Sequence, residues 1–210
     1  DDNKIKDIGT IKINFVDKEN LVNNLRVTKK NNDYLISGKS FNIDSIIEKL
    51  LNSENDKKTE VFDKNFNLIL DIKKVFLDNK NFINDLKGFL SFNKSEISKL
   101  NLESKFSNQK HIKFTIQDNG NEKITTLFSQ EAKPLVDRYK FIKGFNEGIL
   151  DFYSSEKNGV STSKLKIYDF KLKELPVLTK VLTLASLQGI ADLLSGEGIR
   201  FNELEMNFKN

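Results

Sequence analysis

The side chains of this sequence that could do chemistry are few and poorly placed for it. There is no cysteine, which removes thiolate nucleophiles, thiolate metal sites and disulfides together. The one histidine, His111, lies in Gln109-Lys110-His111-Ile112-Lys113 with no neighbour at ligand spacing, so it reads as a solvent-facing strand residue. Carboxylate pairs exist, Glu203 with Glu205 on one strand face and Asp169 close to Glu174. With 30 acidic residues such pairs arise by chance, and nothing apolar surrounds these to shift a pKa toward general acid or base work. The glycines between Gly189 and Gly198 close a helical pattern instead of opening one, so they read as a C-terminal stop and not a phosphate loop. The expectation is a protein without a catalytic residue, a metal or a cofactor.

The elements that must position any site follow from composition and periodicity. At 210 residues and 38% hydrophobic content the chain has room for one large domain or two small ones with a covered core. Its 34 basic side chains nearly balance the acidic ones, for a net charge of +4, and only Arg26, Arg138 and Arg200 are arginines. That excludes the clustered, bidentate cation pattern of a nucleic-acid binder, so no nucleic-acid partner is expected. No apolar run reaches the roughly 18 residues of a spanning helix, and Asp1-Asp2-Asn3-Lys4 is no signal peptide, so the chain reads as a mature or excised piece.

Alternation with a period of two dominates. Ile11, Ile13 and Phe15 against Lys12 and Asn14 predict a strand over Thr10 to Val16, followed by Asn24 to Thr28 and Tyr34 to Lys39 in a meander. Apolar residues at 43, 46, 47, 50 and 51 then predict a short amphipathic helix with Asp44 as N-cap, and the polar stretch 52–60 reads as a linker. Strands resume with Phe66, Leu68, Leu70 and Ile72, then Val75 to Leu77, Asp85 to Phe92, Ile97 to Phe106, Lys110 to Gln117 and Glu122 to Phe128. The last two are joined by Asp118-Asn119-Gly120, a strong hairpin signal. A second helix is predicted over 130–142, strands over Glu147 to Ser154 and Ser161 to Leu172, an apolar helix over 176–194, and a closing strand through Ile199, Phe201, Leu204, Met206 and Phe208.

Ten or eleven strands and three short helices match neither βαβ alternation nor a bundle. The fold class is mainly β: an antiparallel sheet with a bulky apolar face, given 17 phenylalanines and no tryptophan, and a second face left wet. Two segments are expected, a meander with its helix over 1–51 and a larger unit over 61–210. The 176–194 helix is apolar on more than one face, as a core helix is; it also suits a helix plugging one end of an apolar sheet or touching a membrane surface.

One stretch carries a resemblance. Lys164-Leu165-Lys166-Ile167-Tyr168-Asp169-Phe170-Lys171-Leu172, then Leu175-Pro176-Val177-Leu178, then Leu182 through Phe201 with Gln188-Gly189-Ile190-Ala191-Asp192 and Gly196-Glu197-Gly198, resembles the C-terminal signature of AsmA-like proteins, particularly the YhdP branch. Glu131-Ala132, Tyr139, Gly144 and Gly148-Ile149-Leu150 are similar to the family's preceding helix and strand, and Gly38 to Ile43 resembles its looser repeat.

The resemblance implies a long, curved antiparallel sheet forming an open hydrophobic groove, with a helix capping it near the C-terminus. It also implies a place on the periplasmic face of a Gram-negative envelope, anchored in the inner membrane by a segment outside this chain. There the groove would pass phospholipids between inner and outer membranes, with neighbouring groove repeats of the same chain and proteins of both membranes as partners. Strands ~4.8 Å apart would make eleven of them a trough of about 50 Å. Ile13, Phe15, Phe66, Leu68, Leu70, Phe114, Ile116, Leu165 and Ile167 are the candidate groove lining, and Leu182, Leu184, Leu187, Ile190 and Leu194 the candidate capping helix. The alternative is a non-catalytic scaffold or chaperone in outer-membrane assembly, whose exposed strand edges pair with a client.

Overall fold

A computed structural model describes residues 9–31, 33–45, 65–94, 96–139, 142–173 and 198–209. Its strands are β1 (Thr10–Val16), β2 (Val22–Lys30), β3 (Asp33–Asn42), β4 (Phe66–Phe76), β5 (Phe82–Asn93), β6 (Glu96–Lys105), β7 (His111–Asp118), β8 (Lys123–Ser129), β9 (Phe145–Lys157), β10 (Val160–Leu172) and β11 (Ile199–Lys209). Among the described residues a two-turn helix, α1 (Lys133–Tyr139), lies between β8 and β9 in the chain. The strands follow one another in chain order in one 11-stranded sheet. Of the three expected helices, this is the one that the described residues contain. Only the start of the 43–51 helix, Asp44 and Ser45, is described, while the 52–60 linker and the 176–194 helix lie outside the described residues.

The expectation of a purely antiparallel sheet is corrected at one place. β3 and β4 are parallel, with Ile36 opposite Leu70 and Gly38 opposite Ile72, so the sheet is mixed. A parallel pair cannot be closed by a tight turn; the chain must return to the end where it started, which takes a dozen or more residues. Residues 43–65 separate the two strands in the chain, which is length enough.

The chain divides into two compact units, Asp1–Gln109 with Lys113–Lys123, and Lys110–Ile112 with Ile124–Asn210. In the first, β1–β2, β2–β3, β4–β5 and β5–β6 are antiparallel. Leu25, Ile72, Val75, Ile83, Leu86 and Leu100 are its buried apolar residues along these strands. In the second, β9, β10 and β11 form an antiparallel triplet. Ala132, Val136, Phe145, Leu150, Ile167 and Phe170 make its core, where α1 packs on β9.

Both units change the phase of their alternation without losing their face. In the second unit Ile167 and Phe170 are both buried although three residues apart, because Asp169 takes a left-handed conformation (φ 50°) and drops out of the pairing. β11 shifts in step, with Leu204 opposite Ile167 and Phe201 opposite Phe170. β9 shifts at Glu147 (φ 63°) and Gly148 (φ 87°), so Phe145 and Leu150 share the core. Such a break in one strand alone would send its later side chains to the other face; these three strands break together and keep their register. The first unit repeats the device: Ile72 pairs with Leu86 and Val75 with Ile83, while Lys73 and Asp85 (φ 52°) fall between and form an ion pair at 3.2 Å.

Candidate functional site

The candidate groove residues sort onto one face of their strands. Ile13 lies opposite Leu25, which lies opposite Gly38, which lies opposite Ile72, so the face runs unbroken across β1 to β4. Leu70 continues it between Ile36 and Gly88, Leu68 opposite Leu90 and then Leu100, and Phe66 opposite Phe92. The Phe66 and Phe92 rings stack at 4.7 Å, and Tyr34 meets Phe66 edge-on at 5.8 Å. Such pairs add about 0.5–1.5 kcal/mol beyond area burial.

Exposure varies among the candidate residues of the first unit. Ile116 is buried, Ile13, Phe66, Leu68, Leu70 and Phe114 are half-buried, and Phe15 at the β1 end is 47% exposed. Every described element of the first unit except Asp44 and Ser45 is a strand or a turn, so among the described residues no second layer lies on it.

In the second unit Leu165 and Ile167 also point to one face, but their surroundings differ. Ile167 is fully buried beside Phe145, Phe170 and α1, which seals this end as an ordinary core. Leu165, opposite Phe152 and Met206, is half-buried, and Phe208, opposite Ser163, is 49% exposed. The face therefore opens from the α1 end toward a polar rim, where the hydroxyls of Ser154, Ser161 and Ser163 bond to one another at 2.8–3.4 Å. Leu182, Leu184, Leu187, Ile190 and Leu194 lie outside the described residues.

Residue reasoning missed several members of the face. Leu25, Ile36, Leu90, Leu100 and Leu102 belong by register to the first unit's face and Leu150, Phe152, Leu204 and Met206 to the second unit's, and the signal for them was the same alternation read through each phase shift. It also missed an apolar row on the opposite face. Leu35, Ile69 and Phe89 are cross-strand neighbours and all exposed; with Asp33, Asn67, Asp71, Lys87 and Ser91 they line a shallow open hollow of about 720 Å³. The face expected to stay wet thus carries a short apolar row, which the run Leu68-Ile69-Leu70 shows as letters.

The polar face of β9–β11 is a charge ladder. Lys166 bridges Glu203 at 2.7 Å and Glu205 at 3.0 Å, Lys164 reaches Glu205 at 3.3 Å, and Glu147 joins Lys171 and Arg200. Hydrogen bonds from Asn207, Lys166 and Lys164 hold the Glu205 carboxyl down at about 2, and Lys166 is raised well above its usual range by Glu203 and Glu205. At Glu147 burial pushes up, but Lys171 and Arg200 outweigh it and the carboxyl is lowered. These carboxylates are tied to lysines at the surface, the reverse of a raised-pKa acid. His111 is exposed, and its carbonyl accepts the Gln130 N–H.

A second polar cluster closes the β1–β2 hairpin. Asp17 accepts the N–H groups of Glu19 and Leu21 and the side-chain amides of Asn23 and Asn42, and the Asn42 contribution leads in lowering its pKa. Asn23 is fully buried and accepts the Asn42 N–H at 2.7 Å. This network satisfies itself and reads as a hairpin clamp. Among the described residues no group of three histidine or carboxylate side chains is placed to hold a metal, and no helix is long and apolar enough to cross a membrane. No family model, curated protein or solved structure matches the chain.

Proposed function

We propose that this chain is a segment of a bridge-like envelope protein that carries phospholipid acyl chains along its apolar sheet face between the inner and outer membranes. The observation that carries the reading is the first unit's face: Tyr34, Ile36, Phe66, Leu68, Leu70, Leu90 and Phe92, contiguous by register, remain only half-buried. A face this bulky in water is costly unless something apolar rests on it. An acyl chain of about fourteen methylenes would cost roughly 11 kcal/mol to expose, at ~0.8 kcal/mol per CH₂, and a continuous apolar track lowers that barrier. Because the chain passes from one apolar surroundings to another, its net binding is weak and its sliding fast, with head groups kept in water. No catalytic group is needed. A periplasmic location, with anchorage supplied outside these residues and membrane proteins as partners, belongs to the same proposal and draws on the resemblance of residues 125–210 to AsmA-like proteins.

The test is a photo-crosslinking amino acid at position 68 or 114 of the chain in cells, with lipid extraction and mass spectrometry. Phospholipid adducts at both positions, and none at the polar-face position 99, are expected. Absence of lipid at either position refutes the conduit. The end strands β1 and β11 favour the second reading, a scaffold or chaperone that pairs with client strands, and protein adducts in place of lipid would select it.

A further inference from the structure

The two end strands carry complementary patterns, and we propose that β11 of one chain pairs antiparallel with β1 of a second copy, with Lys12 set opposite Glu205. The inference does not rest on the conduit reading and holds equally for a scaffold. Among the described residues β1 is paired on one side alone, by β2, and β11 on one side alone, by β10. Neither contains a proline, a standard device that blunts an edge.

Each strand segregates its side chains in the same way. On β1 the apolar face carries Ile11, Ile13 and Phe15 and the other carries Thr10, Lys12 and Asn14. Over the last part of β11 the apolar face carries Leu204, Met206 and Phe208 and the other Glu203, Glu205 and Asn207. Directly opposed residues in an antiparallel pair share a face. With Lys12 opposite Glu205, Ile11 falls opposite Met206, Ile13 opposite Leu204 and Thr10 opposite Asn207. Ile11 (42% exposed) would gain Met206 on its open side, and Phe208, opposite Gly9, would gain Ile11 as a diagonal neighbour.

Charge selects this partner over an arbitrary strand. Lys12 lies directly opposite Arg26 in the β1–β2 register, and neither has an ion pair among the described residues. Like charges in that position repel, so the β1 edge favours an incoming carboxylate. β11 offers two, Glu203 and Glu205, whose side chains stay 43% and 35% exposed while bridged to lysines behind them. The patches differ, so the contact is head-to-tail and adds copies in a row instead of closing a symmetric dimer.

Sedimentation velocity of the full chain across a concentration series tests this. Association that lengthens with concentration and weakens with salt is expected. Lys12→Glu or Glu205→Lys alone should weaken it roughly tenfold, and the double exchange in one chain should restore it, because each altered edge then meets its altered complement. Since the chain has no cysteine, Ile11→Cys with Met206→Cys gives an independent readout: oxidation should produce a disulfide-linked ladder. Circular dichroism establishes that each variant is folded, and the ladder keeps the test informative if one charge variant is not. A monomer at every concentration with no ladder overturns the proposal, as does association that the exchanges leave unchanged.

Discussion

Gly148→Ala isolates what the phase shift in the second unit requires. Gly148 sits at φ 87°, and an added Cβ would stand 3.0 Å from Phe170 Cβ, 3.2 Å from Phe145 Cζ and 3.3 Å from Ile167 Cγ2. Those three side chains are buried, at 3%, 1% and 0% exposure, so none can move aside without disturbing the Phe145–Phe170 stack at 5.3 Å. Two costs add: about 1–2 kcal/mol for a left-handed alanine and about 1–3 kcal/mol for overpacking. Gly159, in the β9–β10 turn at φ 75° with nothing within 4 Å of its Cβ position, carries the first cost without the second. Gly148→Ala should therefore destabilise by about 1–3 kcal/mol more than Gly159→Ala. Urea unfolding followed by circular dichroism measures the difference, with amide exchange at Leu150 and Ile167 locating it in β9 and β10. Equal losses for the two variants would refute the claim that Gly148 is a packing requirement of the shifted face.

Two further outcomes follow from the polar clusters. Asn23→Ala removes a fully buried amide that accepts the Asn42 N–H and donates to Leu21 O and Asp17. A loss of about 1–3 kcal/mol is expected, with faster exchange of the Asn42 amide, and unchanged exchange would count against the hairpin clamp. Glu205, depressed from 4.5 to about 2, contributes stability that is present above pH 4.5 and lost as pH falls toward 2. Carboxyl titration by NMR should find its midpoint far below that of ordinary glutamates, and Asn207→Ala should raise it; a midpoint near 4.5 in the unaltered chain contradicts the bridged geometry.

What could be read without coordinates was the local state of the backbone. Alternation along Ile11-Lys12-Ile13-Asn14-Phe15 and along Phe66 to Ile72 marked strands, because a strand turns successive side chains to opposite sides and a half-buried sheet records that in polarity. Asn119-Gly120 marked the β7–β8 turn for an equally local reason: Gly120 takes φ 86° and its N–H bonds Asp118 Oδ1 at 2.8 Å. Strand pairing is not local. Nothing in residues 33–42 or 66–76 says that they run side by side in the same direction, since direction is decided by where the intervening chain returns. The breaks in alternation at Ile72–Val75, Ile167–Phe170 and Phe201–Leu204 are visible as letters: the first reads as the end of one strand and the start of another, and the other two fall inside strands whose phase change the letters alone do not explain. Only neighbouring strands that break together, in unchanged register, keep the face continuous. Whether an apolar side chain faces a packed interior or stays half-open was likewise a tertiary decision: Leu165 and Ile167 carry the same pattern two residues apart, and it is the position of α1 and Phe170 that buries one and leaves the other half-exposed.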